Sequence, residues 1–372
     1  MPSEPSEASA APLVVRRGAF RAYFIYDVAD SIDLSRVPRI SGEDVARAPL
    51  QLRREATPGH IQFPVPPLVA RLGTPDEFPS ATLRAKIFDY GVVSIRVSVP
   101  VDGPWEHFAS ETRRLRVDAR LEALARHHLE ALLIEMATAL DDPHPPQVED
   151  YFVFEVERFE PQIGSEALLG AHANAVASLI LGESRRLTAS ERDEALRVSF
   201  SYFEDELVVV QWDAAFVFER PEGAAATEDI LEFANTQLVE LRTYDQSLDA
   251  ELDTIYGLDP KNAGRRFGRK RAQAAADRLR FIKIDVLELA DRAGNSLKII
   301  GDAYYARLYR GAAGRLGLKD WQQQVDAKLA SVDDLYRFFN DQAQAARGEF
   351  MEAVVILLIA LEIVLGLVTL RH

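Results

Sequence analysis

The last apolar run of this chain constrains it more than any other feature. Ala353 to Leu370 reads AVVILLIALEIVLGLVTL, eighteen residues interrupted by one charge, Glu362. At ~1.5 Å of rise per residue, a helix over this run covers roughly 27 Å, close to the ~30 Å hydrocarbon thickness of a bilayer. Helices buried in globular cores seldom stay apolar on every side for that length. The run therefore predicts one C-terminal transmembrane helix, with 351–372 as a tail anchor and membrane lipid as its surroundings. Glu362 falls near mid-span, where an ionised carboxylate costs ~2.5–3.5 kcal/mol, so it is expected to contact another helix in a homo-oligomer. The opening MPSEPSEASAAP has no basic-then-apolar leader. Residues 1–12 read as a disordered tail, and the body is expected to be cytoplasmic.

Upstream of the anchor, strand-like and helix-like stretches succeed one another over 13–258. Phe20, Tyr23, Phe24, Ile25 and Tyr26 mark a strand, and ATLRAKIFDYGVVSIRVSVP marks two more around an Asp89–Gly91 corner. Leucines at 121, 124, 129, 132 and 133 predict one long helix from about Trp105 to Leu140, stopped by the prolines of DDPHPP. YFVFEVERF (Tyr151–Phe159) alternates bulk with charge, which reads as a half-buried strand with its charges in solvent. A helix is expected near Ser165–Leu181. A hairpin turning at Glu204–Asp205 follows, then a helix from Thr227 to about Leu252. The order predicts an α+β body, with a mixed or antiparallel sheet and helices on one face.

Residues 259–280 read as a basic linker and 281–350 as a helical hairpin or coiled coil. Phe281–Arg310 is expected to be one long helix, with GAAGRLGLK (Gly311–Lys319) as its break. Val325, Leu329, Val332, Tyr336, Phe339, Ala343, Ala346 and Phe350 then alternate at four- and three-residue spacings, a heptad seam for a partner helix. That partner is either the preceding helix or the same helix of a second copy.

The chemistry suggested by the sequence is sparse. Cysteine is absent, which excludes disulfides, zinc-thiolate sites and cysteine nucleophiles. With 43 basic and 58 acidic residues the net charge is −15, unfavourable for wrapping nucleic acid. Against that background Lys261, Arg265, Arg266, Arg269, Lys270 and Arg271 form a local cationic cluster suited to anionic lipid headgroups or RNA phosphates. Only Phe267 offers a stacking ring there, so a diffuse anion contact is expected over base reading. The seven histidines show no metal-ligand spacing. There is no phosphate loop, dinucleotide fingerprint or nucleophile elbow. Asp213 and Asp245 are the carboxylates most worth locating, both expected to be structural. No catalytic, cofactor-binding or metal-binding residue is assigned, and an enzyme is not expected.

GEFMEAVVILLIALEIV, with acids at Glu352 and Glu362, resembles the ending of the "required for meiotic nuclear division" family. The two long helices before it and the strand turning through Gly91, Val92 and Val93 (FDYGVV) are similar too. The resemblance implies a membrane-anchored, oligomeric, non-catalytic protein, here a bacterial inner-membrane relative. The expected function is a tail-anchored homo-oligomeric scaffold that recruits a protein partner. A tethered enzyme or sensor, or an RNA- or ribosome-binding tether, are the alternatives.

Overall fold

The computed structural model describes residues 12–37, 46–47, 65–73, 75, 77–256, 284, 286, 287, 289, 302–334, 337, 355, 356, 358 and 359. Two compact units are formed, one from Met1–Leu241 with Leu289–Trp321, the other from Arg242–Glu288 with Gln322–His372.

The first unit is built on a mixed sheet. Its strands are β1 (Val14–Ile32), β2 (Ala46–Arg47), β3 (Leu68–Leu72), β4 (Thr82–Ile87), β5 (Val92–Pro100), β6 (Gly103–Pro104), β7 (Leu140–Glu160), β8 (Ser199–Phe200), β9 (Leu207–Val210) and β10 (Ala214–Phe218). Their order is β2-β3-β4-β5-β1-β7-β10-β9-β8, with β6 beside β1. β10 runs parallel to β7, while β1 is antiparallel to both β5 and β7. The corner between β4 and β5 requires Gly91. Its φ is +86°, and a Cβ there would lie 1.7 Å from the Ala29 carbonyl oxygen.

Side chains alternate across the pleat. Phe20, Phe24, Ile95, Val97, Phe154 and Phe216 point to one face, where they bury against α1 (Trp105–Arg116), α2 (Ala119–Glu135) and α3 (Ser165–Leu181). The opposite face is covered by the first part of α5 (Pro221–Tyr256). Helices therefore lie on both faces, not on one as the sequence suggested. Between α3 and α5 sits α4 (Ala189–Ala195), where Thr188 accepts from the Glu191 N–H.

Several expected boundaries move for identifiable reasons. The single helix of 105–140 is two, because Asp118 caps the N-terminus of α2 by accepting from Arg120 N–H. DDPHPP is not a helix stop, for it lies inside β7. There, residues 144–146 bulge opposite Val28, since Asp27 pairs with Gln147 and Ala29 with Pro143. The break expected over Gly311–Lys319 falls inside that segment but starts later than Gly311: α6 (Ala303–Arg315), capped by Asp302, runs through that glycine. A Cβ on Gly311 would come within 2.5 Å of the Phe200 ring, so the glycine serves close approach of helix to strand. The turn comes later, at Gly317 with φ +66°.

The helix at 318–334 (α7), which enters the second unit at Gln322, buries Val325 and Val332 of the expected seam. The described contacts of this stretch are to the far part of α5, where Lys328 pairs with Asp245 and Asp249, each at 2.7 Å. Leu329 is half-buried, while Tyr336, Phe339, Ala343, Ala346 and Phe350 lie outside the described residues, as do residues 1–11 of the expected tail. Among the described residues no helix is long and apolar enough to cross a membrane. The expected tail anchor is corrected on that finding. Of its apolar run only Val355, Ile356, Leu358 and Ile359 are described, and Glu362 is not among them.

Candidate functional site

The densest polar chemistry of the described residues lies between the sheet and α5. Strand alternation aims Arg21 and Tyr23 of β1, Lys86 of β4, Arg96 of β5 and Glu155 of β7 at that helix. On α5, Glu228, Glu232 and Thr236 recur every four residues, placing them on one stripe. The two sets meet. Tyr23 donates its hydroxyl to Glu228 at 2.6 Å, and Arg96 reaches the same carboxylate at 3.1 Å. Arg21 bridges Glu228 and Glu155. One step along the helix, Lys86 binds Asp229 at 2.7 Å and also pairs with Glu232. Tyr90 and Thr236 share a hydrogen bond of 3.0 Å. Farther on, Thr227 donates to Glu219 at 2.7 Å, Tyr304 of α6 to Glu219 at 3.3 Å, and Tyr309 to Gln237 at 2.5 Å.

Glu228 is 1 % exposed, so its charge has been taken out of water and must be compensated locally. Burial alone would raise its carboxyl, but Arg21, Arg96 and the Tyr23 hydroxyl outweigh it and hold Glu228 below the ordinary range. Glu232 is also lowered, burial being outweighed by Lys86 and then Arg84. Burial and the neighbouring Glu228 charge raise the Tyr23 phenol well above its usual value. Glu155 goes the other way: burial, reinforced by Glu228, pushes it up to about 7 despite Arg21. Glu155, Glu228, Asp229 and Glu232 are each held by a cation. The arrangement fixes α5 on the sheet and leaves its charges engaged with one another.

Other residues singled out from sequence fall elsewhere. Asp213, in the β9–β10 turn, pairs with Arg116, whose guanidinium also donates to the Ile180 carbonyl at 2.7 Å. Asp245 binds Lys328 and accepts from Gln324 at 3.1 Å. The His127 and His128 rings meet edge to face at 5.7 Å, and burial followed by the His127 charge lowers His128. Among the described residues no group of three or more His, Asp or Glu is placed to hold a metal ion. The basic residues Lys261, Arg265, Arg266, Arg269, Lys270 and Arg271, like Glu362, lie outside the described residues. Sequence reasoning missed Arg21, Lys86, Arg96, Glu155, Glu228 and Glu232. A signal existed: an i, i+4 pair of acids inside the apolar helix TEDILEFANTQLVEL, and cations set between apolar neighbours in three strands (Arg21, Arg84 with Lys86, and Arg96).

The family described as the N-terminal domain of the uncharacterized protein MJ0711 matches residues 17–225. The chain belongs to that family. The matched region takes in the sheet with Arg21, Lys86, Arg96 and Glu155, and ends just inside α5. A relative called "Uncharacterized protein MJ0711", from Methanocaldococcus jannaschii, is 25% identical over 175 residues, 47% of this chain and 53% of that protein. The chain thus matches about half the length of this curated relative. No solved structure matches. These findings overturn the resemblance to the "required for meiotic nuclear division" family, which rested on the C-terminal quarter, whereas the matching residues form the α+β unit. The expected bacterial inner-membrane placement also falls, because no described helix can span a bilayer and the matching relative is archaeal.

Proposed function

We propose that the chain is a non-catalytic, self-associating scaffold, with the sheet unit as its rigid body and the second unit as its assembly surface. One observation carries this reading. In the second unit, Ile284, Leu287, Val355, Ile356, Leu358 and Ile359 are between 49 % and 62 % exposed. At about 100° per residue, positions 355, 356, 358 and 359 share one broad face of a helix, and apolar groups gathered in this way favour a protein partner over water. A second copy is the partner in this reading, since the same surface is then available on both sides of a two-fold contact. The basic run 261–271 supplies such an assembly with a cationic contact for an anionic partner on an otherwise acidic chain.

The competing reading, an enzyme or sensor with its site in the α+β body, has less support, because the charges gathered under α5 are consumed in pairing with one another. Mass photometry and light scattering of the full chain over a concentration series test the proposal. A defined oligomer is expected, weakened at least about tenfold in association constant by Ile356→Ser with Ile359→Ser. A monomer throughout the micromolar range, or an oligomer indifferent to both substitutions and to Leu287→Ser, would overturn it.

A further inference from the structure

The first half of β7 carries a contact that the sheet does not need for its core. Residues 144–146 stand opposite Val28 alone, two of them are prolines without an N–H, and Asp142 adopts φ +43°. The backbone ladder between β1 and β7 is therefore at its weakest there. What spans the gap is His144. Its Nε2 lies 3.3 Å from Oδ1 of Asp27, a carboxylate on β1 that is 4 % exposed, and its Nδ1 lies 3.3 Å from the Pro145 carbonyl oxygen. Both partners are acceptors. A neutral imidazole has one N–H and can satisfy one of them; only the imidazolium donates to both.

We infer that residues 140–150 of β7 form a pH-responsive arm, held in register on β1 by a doubly donating His144 and loosened when the ring loses its second proton. The surroundings favour the cation. Asp27 and Asp30 act on His144 from β1, and Asp141 and Asp142, on its own strand, act on Asp30. β5, paired with β1 at this level, presents Val92 opposite Asp27. Asp33, at the end of β1, is engaged by the Ser35 hydroxyl at 2.6 Å. Burial lowers the His144 pKa, but the Asp27 hydrogen bond and charge outweigh it, and the net shift is upward from 6.5. For a group raised by folding, the stabilisation is complete below 6.5 and disappears as pH climbs through the folded value. Once the ring is neutral, Asp27 and Asp30 lose the cation that offsets their mutual repulsion.

Hydrogen exchange of the full chain, corrected for intrinsic rates, tests the arm at about pH 5.5 and about pH 8. Peptides covering 27–32 and 140–150 are expected to lose protection about tenfold at the higher pH, the value of one charge-assisted hydrogen bond, while β4 and β5 stay unchanged. His144→Gln is expected to make the arm insensitive to pH. Should that variant fold poorly, Asp27→Asn must move the His144 titration, followed by ring proton NMR, to lower pH. Equal corrected protection at both pH values, a His144 titration below that of a free imidazole, or pH sensitivity surviving in His144→Gln would each overturn the inference.

Discussion

Lys86 illustrates how one side chain can decide whether a buried face is tolerable. Its ammonium is shared between Glu232, which is buried, and Asp229, which retains some solvent. Lys86→Met leaves the Glu232 carboxylate without its main counter-charge, so a loss of about 3–5 kcal/mol in unfolding free energy is expected. Adding Glu232→Leu removes the orphaned charge. The double variant should be more stable than Lys86→Met alone, and a denaturant double-mutant cycle measures the difference. Additive losses would show that the pair is not coupled. Glu155 makes a separate prediction in pH. Its folded value, about 7, lies above its ordinary 4.5, so its contribution is complete below 4.5 and fades as pH rises toward and past 7. Glu228 and Glu232 behave oppositely, stabilising above the ordinary carboxylate range and failing as pH falls. Urea midpoints of Glu155→Gln should therefore decline less between about pH 5 and about pH 7.5 than those of the unaltered chain. Matching slopes would refute the assignment.

At the level of elements, α6 offers a comparison within one helix. Gly311 faces Phe200 and Val198, whereas a Cβ at Gly314 would meet nothing within 4 Å. Gly314→Ala should stabilise by up to about 1 kcal/mol through helix propensity. Gly311→Ala must displace the Phe200 ring and should lower the melting temperature, so the two variants should shift calorimetric Tm in opposite directions. The same helix explains why its limits were hard to read. Two glycines close together usually mark an interruption, yet one is there for packing and the actual terminator is Gly317. Where local rules were strong the sequence was readable: the β4–β5 corner and α3 (Ser165–Leu181) lie where pattern placed them. The Thr188–Glu191 cap was also written in the sequence, but α4 is only seven residues long and carries little periodicity of its own.

For the molecule as a whole, the main misreading concerned the sheet's second face. Arg21, Lys86, Arg96 and Glu155 alternate with apolar neighbours, and such alternation ordinarily means core on one side and water on the other. A strand cannot reveal that a helix more than sixty residues later in the chain carries matching charges. The fold class was legible because it needs only element order, while the candidate site was not, because it needs pairing at a distance. The prolines of β7 carry a last consequence. Over 140–150 that strand is paired with β1 alone, and no described strand lies along its other border. A bare border of this kind invites a foreign backbone to zip onto it, and a stretch carrying Pro143, Pro145 and Pro146 has too few amide donors to make a regular template. Replacing all three by valine should leave the fold intact while seeding fibrils that bind an amyloid dye, a hazard the native chain avoids by a few missing amide hydrogens.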